Sequence, residues 1–192
     1  MPAIQPIDVV IGVTYQKVLR WEVGPIVYKP ITGVTKSAPV SITAAAHGIP
    51  DGWRVVVVGV RGMAELNASS TPPKCGAYRQ ATVVDANTIE LNQVNSEHFN
   101  TYTSGGVLQY NTPMDMTGYT PQLHVTASRT SPTLVEDLSD LVTVDVAGHT
   151  MTFEFPADKD WEYQKGFYTF DMVASGGRVH RLLEGPLSIS EG

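Results

Sequence analysis

Gly166-Phe167-Tyr168-Thr169-Phe170-Asp171-Met172-Val173 sets Tyr168, Phe170 and Met172 against Thr169 and Asp171 in strict alternation. A period of two puts successive side chains on opposite faces of a pleated strand, so this stretch reads as a strand with one face in a core. The same spacing recurs outward from it, at Leu123, Val125 and Ala127, at Val142, Val144 and Val146, at Met151, Phe153 and Phe155, and at Leu187 and Ile189. Near the start, Tyr15, Lys17, Leu19 and Trp21 share one face of a first strand, where the aliphatic stem of Lys17 can lie along the sheet. Gln16, Val18 and Arg20 take the other face. Turn signals such as Gly24-Pro25, Ala147-Gly148-His149 and Ser175-Gly176-Gly177 separate the runs, as in antiparallel sandwiches built from hairpins. The expected fold class is all-β. One departure is expected at Ser131–Leu138, where Pro132 near a first helical position and the following Glu136 and Asp137 suit a short helical turn.

The middle of the chain carries its own strands, read at Val40–Ala45, Trp53–Val60, Ala81–Val84 and Thr88–Leu91. His47-Gly48-Ile49-Pro50-Asp51-Gly52 and Asp85-Ala86-Asn87 supply turns between them. Four consecutive valines, Val55 to Val58, break the alternation and imply a strand covered on both faces. Pro30-Ile31-Thr32-Gly33-Val34-Thr35 before this segment is echoed by Asp115-Met116-Thr117-Gly118-Tyr119-Thr120 after it. These observations predict a discontinuous outer domain, residues 1–36 plus 108–192, with a second domain, 37–107, inserted into one of its loops. Such insertions are tolerated because loop-closure cost rises slowly with length.

The outer pieces, Tyr15 to Trp21, Thr117 to Val125, Gly166 to Val173 and Arg181-Leu182-Leu183-Glu184-Gly185-Pro186-Leu187-Ser188-Ile189, resemble the immunoglobulin-like domain of phage tail and baseplate proteins. That domain is similar to the N-terminal domain of the baseplate upper protein. The middle resembles the small β-barrel known as the first catalytic cysteine half-domain of ubiquitin-activating enzymes. The stretches that carry this likeness are His47-Gly48, Asp51 to Val55, Gly59 to Asn67, Val83 to Leu91 and Tyr102 to Gly106. No ubiquitin chemistry is carried across, since Cys75 follows Pro72-Pro73-Lys74 without matching context. The paired resemblance implies an immunoglobulin-like antiparallel β-sandwich interrupted by an inserted small β-barrel, and a structural component of a bacteriophage tail, baseplate, neck or fibre-attachment point. It further implies other virion subunits as partners, a multi-copy ring or homo-oligomer, and a virion location after synthesis in the bacterial cytoplasm.

Composition bears on what else the chain is expected to do. Nineteen acidic against thirteen basic residues give a net charge of −6, the wrong sign for phosphate-led nucleic-acid binding. The single cysteine rules out an internal disulfide. The opening Met1-Pro2-Ala3-Ile4-Gln5-Pro6 lacks the basic and apolar regions of a secretory signal, and no run of about eighteen apolar residues suggests a membrane span. Residues 1–13 are apolar with two prolines and read as an arm that extends and orders on a partner.

Catalytic and ligand-binding patterns are weak, and a non-enzymatic role without cofactor or metal is expected. His47 precedes Gly48 in a turn, while His124 and His180 sit on outward strand faces. A Gly-x-Ser-x-Gly elbow is missing, and Gly59-Val60-Arg61-Gly62 lacks the lysine of a phosphate loop. Asp158 with Asp160, and Asp137 with Asp140, read as solvated acidic loops rather than calcium ligands. Trp161 and Tyr163, flanked by carboxylates, are the candidate glycan platform, because aromatic faces beside acids suit sugar rings. They carry the alternative reading, a module that recognises host-surface glycans.

Overall fold

A computed structural model of the chain describes residues 2–192. The described residues fall into two compact units, one made of residues 2–20 with Asp115–Gly192 and the other of Trp21–Met114. Both are built from strands, joined by 3-10 turns of three residues each.

The first unit is a sandwich. Its larger sheet runs β1 (Ala3–Ile4), β17 (Val179–Ser190), β16 (Lys165–Ala174), β12 (Tyr119–Thr126), β13 (Leu134–Asp137), with β2 (Ile7–Val10) also on β17. Its smaller sheet runs β14 (Val142–Asp145), β15 (Thr150–Phe155), β3 (Tyr15–Leu19). The alternation seen in the sequence sets the register. Leu123 and Val125 of β12 and Tyr168, Phe170 and Met172 of β16 are buried, as are Met151, Phe153 and Phe155 of β15. Phe153 meets Phe170 edge to face at 4.7 Å between ring centres, which seats one sheet on the other. A three-stranded sheet facing a larger one, with the N-terminal strands parallel to the last, makes this unit a β-sandwich.

The N-terminal arm pairs within its own sandwich rather than waiting for a partner. β1 and β2 lie parallel to β17, and Ile7 and Val9 are fully buried. The Tyr168 hydroxyl donates to the Gln5 carbonyl at 2.7 Å. Gly185 makes this approach possible, because a Cβ there would stand 2.2 Å from the Gln5 oxygen.

The second unit contains β4 (Glu22–Pro30), β5 (Gly33–Thr35), β6 (Val40–Thr43), β7 (Arg54–Val58), β8 (Arg79–Gln80), β9 (Thr82–Asp85), β10 (Thr88–Leu91) and β11 (Val107–Pro113). They form two sheets, β4-β11-β7-β8 and β5-β6-β10-β9. Two corners join them into a small barrel. At one, Ile31 N–H donates to Gly106 O in the first sheet and Thr32 N–H to Thr43 O in the second. At the other, β8 pairs with β7, Ala81 bonds Trp53 and Gly52, and β9 goes on to pair with β10. Trp53 is wholly buried in the core with Ile42, Val55, Val57, Ile89 and Leu108. Its indole N–H donates to Asn111 O at 2.9 Å, so the one polar atom of this large side chain is satisfied. Val55, Val56 and Val57 are all buried, as the unbroken valine run implied, whereas Val58, its fourth member, is only partly buried.

The compact units divide at different points from the 1–36 plus 108–192 and 37–107 read from sequence. β4 pairs with β11 from Glu22↔Pro113 to Pro30↔Val107, and Met114 N–H donates to Trp21 O, so both flanking strands belong to the barrel. Thr32-Gly33 is its corner and not its border. The expected helical turn at Ser131–Leu138 is also corrected, for this stretch contains β13, paired with β12. The Asp137 carboxylate accepts from the backbone N–H and hydroxyl of Ser139, the first residue of the 3-10 turn Ser139–Leu141 that follows.

Candidate functional site

The loop from β15 to β16 holds both residues of the candidate platform. Phe155, at the end of β15, points into the core and supplies an edge-to-face seat for Trp161, with ring centres 5.7 Å apart. Tyr163 packs on Trp161 at 5.9 Å with the two rings nearly perpendicular, at 88°. The Lys159 ammonium stands over the Trp161 ring, 4.6 Å from its centre. Lys159 Nζ also donates to Glu136 Oε1 at 2.6 Å, and the Tyr163 hydroxyl donates to Glu136 Oε2 at 2.7 Å.

Glu136 of β13 therefore fastens the loop at two points. Burial, and then the hydrogen bond to and charge of Glu136, push the Tyr163 phenol far above its ordinary value, so it remains a donor at neutral pH. The structure brings Trp161 and Tyr163 together, but perpendicular, and the ammonium occupies one indole face. A sugar stacking on Trp161 would use the opposite face or displace Lys159. Asp158, Asp160 and Glu162, on the same loop, are exposed.

The other candidates have structural surroundings. His47 is buried; its Nδ1 accepts from Ile49 N–H and its Nε2 lies 2.9 Å from Asp85 O, which fixes the Nε2–H tautomer. Tyr110 OH donates to the His47 carbonyl at 2.6 Å, tying this turn to β11. His124 Nε2 lies 3.6 Å from Asp137 Oδ2, and His180 packs against the Tyr119 ring. Cys75 is exposed. Among the described residues no three His, Cys, Asp or Glu side chains gather into a metal-holding group. No helix among them is long and apolar enough to cross a membrane.

Sequence reasoning missed a charge network on β16 and β17. Arg181 grips Asp171 through Nε and Nη2, and Arg129 Nη2 donates to Glu184 Oε1 at 2.6 Å. Arg181 Nη1 lies 3.9 Å from Glu184 Oε2. Both carboxylates are buried under the two guanidinium groups, and the bond to Asp171 raises the Arg181 pKa further. The signal was present: Asp171 and Arg181 are equidistant from Gly176, the middle of a recognised turn, so hairpin pairing sets them opposite each other.

Apolar side chains at the sandwich edges are open to solvent. Leu134 and Val135 of the edge strand β13 are 50% and 45% exposed, and Ile4 in β1 is 68% exposed. No family model and no curated protein matches the chain.

Proposed function

We propose that the protein is a structural component of a bacteriophage particle, acting through contacts with other virion subunits and present in several copies. The observation that carries this reading is the combination of an edge strand, β13, with exposed Leu134 and Val135 beside it. Unpaired backbone groups flanked by apolar side chains are what a neighbouring subunit can extend by strand addition. The resemblance of the outer pieces to the immunoglobulin-like domain of phage tails supports the same reading, and so does the inserted barrel. Symmetric particles use one such surface many times over, and contacts of this kind add to the stability of each copy.

The test is a cryo-EM reconstruction of the purified particle that encodes this chain. Density for a sandwich carrying an inserted barrel, repeated around an axis, supports the proposal, whereas absence of the chain from washed particles overturns it. The alternative, a host-glycan module, would rest on Trp161 and Tyr163. Glycan-array binding that disappears in Trp161→Ala would favour it.

A further inference from the structure

The inserted barrel has a mouth on one side. β8 leaves β7 after the Val55↔Arg79 pair, and β9 leaves β10 after Thr82↔Glu90, so no strand spans the space between Val57 and Leu91. The loops on either side wall a cavity of about 560 Å³ there, within the size range of recognition pockets. Val57, Leu66, Val94 and Phe99 supply its apolar part, and Asn67, Ser69, Gln93 and Asn95 line it beside them. Its lining carries two cations, Lys74 and Arg79, against one carboxylate, Glu65.

The charges differ in their commitments. Glu65 Oε1 is held by the backbone and side-chain N–H groups of Asn100, and hydrogen bonds, first from its own backbone N–H and then from Asn100, keep its pKa below the ordinary carboxylate value. One Arg79 nitrogen donates to Gly76 O and Tyr78 O. Lys74 is exposed, and although its carbonyl accepts from Ala77 N–H, its ammonium has no hydrogen bond or ion pair among the described residues. A slot with an apolar patch and an uncommitted ammonium in its lining, where cations outnumber carboxylates, is complementary to an apolar side chain that has a carboxylate beside it.

We infer that this mouth docks an extended, acidic peptide segment of a partner protein, which inserts one bulky apolar side chain between Val57 and Phe99 and sets a carboxylate against Lys74. The inference rests on the assembly role proposed above and names where one partner is held.

The test uses the full chain and three synthetic peptides, acetyl-Asp-Leu-Phe-Asp-amide, its lysine counterpart acetyl-Lys-Leu-Phe-Lys-amide, and acetyl-Asp-Ser-Ser-Asp-amide. Binding is followed by methyl NMR shifts at Val57, Leu66 and Val94. The acidic apolar peptide should shift these methyls saturably, and the serine peptide should not. Lys74→Glu, an exposed change that leaves the core intact, should weaken the acidic peptide by about tenfold, the effect of one charge-assisted contact of roughly 1.4 kcal/mol.

Equal shifts from the acidic and lysine peptides, unchanged binding in Lys74→Glu, or no shifts at all would each overturn the inference. Saturable shifts from an uncharged small molecule such as indole, without any from the acidic peptide, would instead assign the mouth to a small-ligand site and overturn it too. Because the chain's presence in particles is scored separately, an empty mouth in a chain found in the particle rejects only the peptide site.

Discussion

Arg181 and Asp171 stand directly opposite each other on β17 and β16, with both hydrogen bonds at 2.9 Å, and the carboxylate side chain is only 8% exposed. Removing the arginine strands a buried charge, whereas the pair itself contributes little beyond satisfying both groups. Arg181→Met should therefore destabilise the sandwich by roughly 3 kcal/mol, and Arg181→Met with Asp171→Leu should recover most of it. Urea denaturation followed by Trp161 fluorescence, in chains where Trp21 and Trp53 are phenylalanine, isolates this unit. Equal losses in the single and double variants would contradict the assignment.

Alkaline pH should loosen the same sandwich. Burial, with a contribution from Tyr15, pushes the Tyr168 phenol up to about 12, and Tyr163 is raised further. A phenol whose folded value exceeds its unfolded value of 10.0 gives stability that is complete below pH 10 and lost as pH climbs through the folded value. The midpoint of urea unfolding should accordingly fall between pH 10 and 12. Tyr163→Phe should flatten part of that fall while lowering the neutral-pH value, because Glu136 loses a donor.

Acid should act by the opposite sign. The bonds from Ser139 hold the Asp137 carboxyl below its ordinary value of 3.8, so its stabilising effect is present above that pH and is lost as pH drops through the folded value. Asp137→Asn should make melting temperature less sensitive to pH as it falls below about 4. A slope identical to that of the parent would refute the role of this carboxylate.

The arm depends on one missing side chain. Gly185→Ala places a methyl against the Gln5 carbonyl, so residues 2–10 should detach from β17 while the remaining sheet stays paired. Hydrogen exchange at Ile7 and Val9 should accelerate at least tenfold, with β12 and β16 unaffected. Cleavage at the arm by a nonspecific protease should accelerate in parallel.

Trp161 is a support for its loop. Trp161→Ala should cost about 2 kcal/mol, less than a fully buried tryptophan because the ring is only half-buried. Lys159→Met, which keeps the stem but removes the ammonium, should cost under about 1 kcal/mol. A Trp161→Ala variant as stable as the parent would separate the indole from the sandwich core.

Where a strand buries one face, its residues announced it: Met151, Phe153 and Phe155 could be read as core because a period of two has only one structural meaning at that length. Val55 to Val57 were equally plain. The division between the units was harder to read because Thr32-Gly33 and Thr117-Gly118 look alike, yet one turns a barrel corner and the other leads into β12. Local sequence reports a turn but not which sheet receives the chain afterwards. Leu134-Val135-Glu136-Asp137 read as helical because its carboxylates suit a helix start, but an available edge on β12 outweighed that preference. Trp161 and Tyr163 were found as a pair, whereas Glu136, which fastens both Lys159 and Tyr163 around the indole, comes from β13, far away in the sequence.

In the barrel, the chain passes from one sheet to the other at both corners, and the order of neighbours returns on itself. A module grafted into a loop this way offers a crowded solution few free rungs on which another polypeptide could crystallise into a shared ladder. The sandwich stays open at β13 and at β14. The two halves therefore differ in what they leave open: the barrel closes its ladder and exposes side chains, whereas the sandwich retains edges of main chain that a neighbouring strand can extend.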